Sequence, residues 1–238
     1  MEQRLDKLVS VAMGLSRTAA KKLIVQGAVT VDGKTVRQPD GKADPAAQEI
    51  CAHGRLLCYR DKLYLLMNKP LGVVSSTDDP DSPTVLELLS PALRRKGLFP
   101  AGRLDKYSEG MLIITDDGVF AHRLLAPRRR VPKTYYVELD APIVNEALAA
   151  QFALGVELGG AERSSPARLE ILSPVSARVT IFEGIYHQVR RMFDRHGGHV
   201  TRLVREQIGG LGLDPALAPG EARLLTEAEL SLLLDSTP

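Results

Sequence analysis

The sequence predicts an α+β chain built from a small basic head and a larger body. Three observations carry this. Strand-like and helix-like stretches alternate in an irregular order rather than as a repeating βαβ winding. Residues 1–60 hold ten Lys/Arg against six Asp/Glu, and the remainder holds twenty-one against twenty-three, so the positive charge sits at one end. Residues 37–60 carry Pro39, Gly41, Pro45 and Gly54, which read as the end of a module and a linker. The expected domains are therefore 1–60 and 61–238.

In the head, Leu5, Leu8, Val9, Ala12 and Met13 recur at helical spacing, and Gly14 ends that run. Ser16 is a good N-cap for a second helix and Gly27 a good stop. Ala19, Ala20, Leu23 and Ile24 form one face of it; Arg17, Lys21 and Lys22 lie on the other. Val29–Val31, Asp32-Gly33 and Lys34–Val36 read as a hairpin with a type I′ turn. By itself the basic face is an ordinary solvated helix face.

In the body, Leu63–Met67 reads as a buried strand, and Val73–Ser75 resumes it. Thr84 is placed to cap a short helix through Leu89. Met111–Ile114 is a core strand closed by Asp117-Gly118. Phe120–Leu125 is helical and breaks at Pro127, before Arg128-Arg129-Arg130. Lys133–Leu139, Ala167–Ile171 and Ala177–Ile181 read as strands, and Ala147–Leu154 as a helix. Gln188 opens a helix with Val189, Met192, Phe193 and His196 on its apolar stripe, so His196 is read as a core residue. Thr226 to Glu229 is a capping box for a last helix.

The stretch with chemical interest is Ala101-Gly102-Arg103-Leu104-Asp105-Lys106-Tyr107-Ser108-Glu109-Gly110. It puts a carboxylate in a polar loop leading into a core strand, where rigid scaffolds tend to carry chemistry. Spacing alone favours a surface Arg/Asp pair in a turn. However, Gly102-Arg103-Leu104-Asp105, then Ser108, Gly110, a hydrophobic strand and Thr115-Asp116-Asp117-Gly118 resembles the signature loop of the pseudouridine synthases. The run from Leu15 to Val36 resembles the αL RNA-binding motif found in a small-subunit ribosomal protein and in several RNA-modifying enzymes. Ser108 stands where Thr is frequent, and Met111 where Leu is frequent.

The resemblance implies a fold and a site. The head would be an αL-type RNA-binding domain of two helices and a hairpin. The body would be a mixed, mainly antiparallel β-sheet with flanking helices. Asp105 would be the catalytic carboxylate. Tyr135, in Lys133-Thr134-Tyr135, would pack on the target base. Arg190, in Tyr186-His187-Gln188-Val189-Arg190-Arg191, would meet the carboxylate, with Arg191 as the adjacent alternative. Arg17, Lys21, Lys22, Arg103, Arg128, Arg129, Arg130 and Arg191 are the expected RNA contacts, acting on phosphates and weakening with salt. His187 is placed to touch substrate, not to act as a base.

Isomerising a uridine needs no redox step and no group donor, so no cofactor and no metal are expected. Whether Asp105 attacks as a nucleophile or removes a ribose proton stays open. The head, together with Thr77–Leu86 and Glu183–Met192, is most similar to family members acting on small-subunit (16S) ribosomal RNA. A large-subunit (23S) substrate is the nearest alternative. A non-catalytic assembly protein, or a metal-dependent phosphoryl enzyme using Asp105, Asp116 and Asp117, are more distant ones. Cys51 and Cys58 have neither C-x-x-C spacing nor a nearby His pair, and read as reduced thiols. No stretch of about 18 apolar residues appears, and the N-terminus has no signal-peptide core. A cytoplasmic monomer is expected.

Overall fold

A computed structural model describes residues 2–57 and 59–234. Cys58 lies outside the described residues. The chain divides into two compact units: residues 1–63 with 94–97, and residues 64–93 with 98–238.

The first unit contains helices α1 (Leu5–Met13) and α2 (Arg17–Val25). Gly14 takes φ 65° at the end of α1, a conformation that costs glycine nothing. Ser16 caps α2 by accepting from Ala19 N. Strands β1 (Val29–Val31), β2 (Lys34–Thr35), β3 (Ile50–Ala52) and β4 (Arg55–Leu56) form a sheet in the order β2-β1-β3-β4. Asp32 and Gly33 both have positive φ, as the type I′ hairpin requires. Leu5, Leu8, Val9, Ala20, Ile24, Val29 and Ile50 make the core. Asp6 is buried beside them, accepting from Arg4 and Arg17.

The second unit is built on one large sheet. Its strands are β5 (Tyr64–Lys69), β6 (Phe99–Ala101), β7 (Glu109–Thr115), β8 (Lys133–Leu139), β9 (Arg168–Ser173), β10 (Ser176–Ile181), β11 (Val200–Ile208), β12 (Leu211–Gly212) and β13 (Ala222–Leu224). The order is β9-β10-β8-β11-β7-β5-β13, with β6 on β7 and β12 on β11. Every pairing is antiparallel except β11 with β7, which is parallel. Two antiparallel halves therefore meet at one parallel seam. Each half has its own core. One packs around Val137, Phe152, Val179, Met192 and Phe193, and the other around Leu66, Met111, Ile113, Phe120 and Leu124.

The helices are α3 (Gly118–Leu125), α4 (Glu146–Leu154), α5 (Gln188–Asp194) and α6 (Glu227–Leu233). Asp117 caps α3 by accepting from Val119 N and Phe120 N, and it also accepts from the Tyr64 hydroxyl. The Thr226/Glu229 capping box opens α6. His196 packs its ring 5.9 Å from that of Phe152, and burial lowers its pKa.

Two expectations fail here. Thr84–Leu89 forms consecutive turns, not a helix, because the segment bonds across to Val74 on both sides: Val74 N donates to Pro83 O and Val85 N to Val74 O. Val73–Ser75 makes only an isolated bridge, Val74 with Thr84. A six-residue helix has little intrinsic stability to oppose that pairing.

Candidate active site

The seam of the large sheet positions the site. In the register, Gly110 of β7, Arg205 of β11, Tyr135 of β8 and Val179 of β10 lie side by side. The loop carrying Asp105 runs into β7 just before this row. A cavity of about 780 Å³ opens there, lined among others by Arg103, Asp105, Lys106, Ser108, Lys133, Tyr135, Glu183, His187 and Arg205.

The Asp105 loop is held by its own carbonyls. Ser75 Oγ donates to Leu104 O (2.9 Å) and accepts from Leu104 N (3.1 Å). Gly72 N donates to Lys106 O. Buried Lys69 donates from Nζ to Ser108 O (2.7 Å) and Pro70 O (3.0 Å). Lys106 Nζ reaches Ser82 Oγ. These bonds tie a short polar loop to the end of β5 and to the segment after it, so the carboxylate has a fixed place without regular structure of its own. Asp105 Oδ1 lies 3.4 Å from His187 Nε2, and both side chains are about one-third exposed. The His187 ring stacks on Tyr186 at 3.9 Å, and Tyr186 is 75 % exposed.

Two cations of the lining are buried or half-buried, Arg205 and Lys133, and a third, the buried Lys69, is bonded to the Asp105 loop. Arg205 is 2 % exposed; its Nε donates to Met111 O (2.7 Å) and its Nη1 lies 3.5 Å from the Tyr135 hydroxyl. Burial pushes the Lys69 ammonium down to about 8, against the pull of Asp105 and Glu109. Lys133 is held at about 8, mainly by burial and secondarily by Arg205. Glu183 accepts from Ser165 N, Ser165 Oγ and Gln188 Nε2, so it is already well satisfied.

The structure gathers some of the expected residues and not others. Asp105, Tyr135 and Arg103 line one cavity. Arg190 is not brought to Asp105. Its Nη1 donates to Val200 O (2.8 Å) and its Nη2 to Tyr107 O (2.6 Å), so it grips the backbone of the Asp105 loop and of β11. Arg191 points elsewhere, donating to Leu158 O and Tyr186 O and pairing with Glu162 at 2.6 Å. Arg17 is engaged with Asp6. Lys21 and Lys22 are exposed on α2. Arg128, Arg129 and Arg130 are exposed, with Arg130 over the Phe182 ring at 5.3 Å. Among the described residues no three His, Cys, Asp or Glu side chains are grouped to hold a metal ion.

Sequence reasoning missed Lys69, Lys133 and Arg205. Lys69 lies just past Leu63–Met67, the run that reads as a strand, and nothing in its spacing marks it. Lys133 lies two positions before Tyr135, where a strand reading points both side chains the same way; that was the available signal. Arg205 lies in a strand that was not expected.

Comparisons with known proteins identify the family. A family model described as RNA pseudouridylate synthase matches residues 63–195, and an S4 domain model matches residues 3–46. The chain belongs to the RNA pseudouridine synthase family and carries an S4 domain ahead of the catalytic body. It is 45 % identical over 229 residues to the ribosomal small subunit pseudouridine synthase A of Escherichia coli, covering 96 % of this chain and 98 % of that one. It is also 45 % identical over 234 residues to an uncharacterized RNA pseudouridine synthase of Bacillus subtilis, covering 97 % and 98 %. A crystal structure of a pseudouridylate synthase superposes with a TM-score of 0.69 at 39 % identity, covering 97 % and 99 %. The chain is thus an isomerase acting on RNA, and the non-catalytic reading is set aside.

Proposed function

We propose that this protein converts one uridine of small-subunit (16S) ribosomal RNA to pseudouridine, with Asp105 as its catalytic carboxylate. The observation that carries the reading is the one cavity in which Asp105 and Tyr135, from separate elements, share a lining with the buried Arg205 and the half-buried Lys133. The similarity to a small-subunit enzyme over nearly the whole chain supports the choice of RNA.

The target uridine must leave its stack, which costs a few kcal/mol. Stacking on Tyr135 returns about 1–3 kcal/mol of that. Asp105 then acts at the ribose, either attacking C1′ or removing the C2′ proton, while the N1–C1′ bond breaks. The base turns and rejoins through C5, the hydrogen on C5 leaves as a proton, N1 takes one up, and Asp105 gives back its bond or its proton. The product has the composition of the substrate, so the chemistry asks for no redox partner or group donor. Arg190 serves as a positioning residue, through its bonds to Tyr107 O and Val200 O.

Lys21 and Lys22 of the S4 domain contact RNA phosphates, as do Arg103 and Arg128, Arg129 and Arg130 of the body. One chain carries both the binding module and the whole site, so a monomer suffices. Ribosomal RNA as substrate places the enzyme in the cytoplasm. Among the described residues no helix is long and apolar enough to cross a membrane.

The test is tritium release from [5-³H]uridine-labelled 16S RNA in the presence of EDTA, comparing the wild type with Asp105→Asn and using 23S RNA in parallel. Release from 16S RNA by the wild type alone is expected. Release from 23S RNA only would move the substrate to the large subunit, and full activity of Asp105→Asn would remove Asp105 from its role.

A further inference from the structure

Two residues of the cavity lining, Arg205 and Ser108, each carry a buried polar atom without a partner among the described residues: Arg205 Nη2 and Ser108 Oγ. Their residues are 2 % and 1 % exposed. An unpaired buried donor is costly, and a guanidinium N–H more so than a neutral one. Arg205 is also fixed. Nε is tied to Met111 O, Nη1 faces the Tyr135 hydroxyl, and the backbone sits in register between Gly110 and Tyr135. Lys133 lines the same cavity, with Val131 O at 3.3 Å as the acceptor of its ammonium. The carboxylates on the lining are Asp105, beside His187, and Glu183, already accepting three hydrogen bonds. A positive donor set of this kind, with Arg205 and Ser108 buried and Arg205 fixed, suits an oxygen that gains negative charge during the reaction.

We propose that Arg205 Nη2, with Ser108 Oγ and Lys133 beside it, binds the carbonyl oxygens of the target uracil and holds the negative charge the base carries while detached. This rests on the reading of the cavity as the uridine site. When the N1–C1′ bond breaks, its electron pair leaves with N1 and spreads onto O2 and O4. C1′ is then taken by an Asp105 oxygen, or a C2′ proton passes to Asp105. In the closing step C5 bonds to C1′ as the Asp105 oxygen, where it had bonded, leaves C1′ with its electron pair; any proton lent by C2′ is restored, C5 loses its proton to solvent and N1 gains one. Between these steps the base is an anion, and Arg205 is the group placed to hold it next to Tyr135. The same donors meet the amino group of a cytosine with a donor–donor clash, so they also select uracil.

The experiment measures single-turnover rate and RNA affinity for wild type, Arg205→Gln, Arg205→Lys and Lys133→Met. Each is run on RNA with uridine and with 5-fluorouridine at the target position. Fluorine makes the base a better leaving group, so it depends less on the protein to hold its charge. Conversion is read by chromatography of nuclease digests, because C5 of the fluorinated base releases no hydrogen. Arg205→Gln is expected to lower the rate on uridine about 10²–10³-fold, with RNA affinity unchanged, and to lose clearly less on 5-fluorouridine. Arg205→Lys should fall between. If Arg205→Gln does not fold, Lys133→Met carries the test, with a smaller loss and the same dependence on the leaving group. Wild-type rates, or equal losses on both bases together with weakened RNA binding, would overturn the inference; the latter would make Arg205 a phosphate contact. An inert wild type on both bases would instead strike the uridine-site reading itself.

Discussion

Gly110→Ala is the substitution that most directly probes how the seam holds the site. Gly110 has φ +97°, and a methyl there would lie 2.9 Å from Arg205 N and from Val204 Cγ1, and closer still to Arg205 O. Positive φ costs a non-glycine residue roughly 1–2 kcal/mol. Overpacking costs typically about 1–3 kcal/mol. Two of the three atoms met are backbone, which no rotamer change can clear, so the upper part of the combined range applies, about 4 kcal/mol. For a body of this size that is a fall in Tm of roughly 8–16 °C. Because β7 and β11 share only the pairs Val204 with Glu109 and Arg205 with Gly110, the strain has no neighbouring rungs to spread over. The Asp105 loop and Arg205 should separate, and the single-turnover rate should fall even below the new Tm. The assay is differential scanning calorimetry with single-turnover kinetics on labelled RNA. Gly118→Ala is the control: it opens α3, meets nothing within 4 Å and has no positive φ, so it should be neutral or slightly stabilising. A Gly110→Ala protein melting within about 2 °C of wild type, with wild-type kinetics, would refute the reasoning.

Three further outcomes follow from the same geometry. Lys69 and Lys133 are both held at about 8 against an ordinary 10.5, mainly by burial. At pH 8 to 9 the unfolded chain therefore binds more protons than the folded one, and these two groups make stability rise with pH there. The groups facing them are Asp105, Glu109 and Arg205 for Lys69, and Arg205 and Glu183 for Lys133. Calorimetry at pH 8.5 in buffers of different ionisation enthalpy should show proton uptake on unfolding, and proton release would contradict it. Tyr186→Ala should leave Tm unchanged and weaken RNA binding, since an exposed ring stacked on His187 offers a face to a neighbouring base worth about 1–3 kcal/mol; unchanged affinity in a filter-binding assay would remove Tyr186 from the RNA path. Asp6→Asn should loosen α1 and α2 by about 2 kcal/mol, a buried-pair loss discounted for arginines that are half exposed. The wild-type carboxyl is held at about 2, first by its hydrogen bond from Arg4, so its contribution is present above pH 4 and fades as pH falls toward 2. Hydrogen exchange of residues 5–25 in the full chain reads this, and unaltered protection would count against it.

The two helices and the first hairpin of the head were legible in the sequence because each is fixed locally, whereas the strands Ile50–Ala52 and Arg55–Leu56, inside the stretch that reads as a linker, were not. Gly14, Ser16 and the Asp32-Gly33 turn each satisfy a backbone demand that the residue type announces. Lys133–Leu139 was legible as a strand for the same reason, with alternation and β-branched or aromatic residues in one run. The longest strand, Val200–Ile208, was not. Its buried positions are 200, 203, 205 and 208, and register shifts against Lys133–Leu139 break the period of two. With the strand unseen, nothing in the sequence sets Arg205 apart among thirty-one basic residues. Arg190 failed differently. It sits where the motif suggests a partner for Asp105, but α5 directs its guanidinium to two carbonyls, and adjacency in sequence carries no information about which acceptor a long side chain reaches.

The seam explains why one site needs residues spread over more than a hundred positions. Each half of the sheet has its own apolar core. The junction is where backbone from both halves meets with only two pairs in register, and polar side chains can turn inward there without displacing a core residue. Asp105 comes from the half built on β7; Tyr135, His187 and Arg205 come from the half built on β8 and β11. A carboxylate held by backbone bonds on one side and a guanidinium held by backbone and tyrosine on the other can then face a single nucleoside. Lys69 binds the loop of the first half, and Arg190 joins that loop to β11. The two cations that the geometry keeps from touching Asp105 directly are therefore the ones that set its position relative to Arg205.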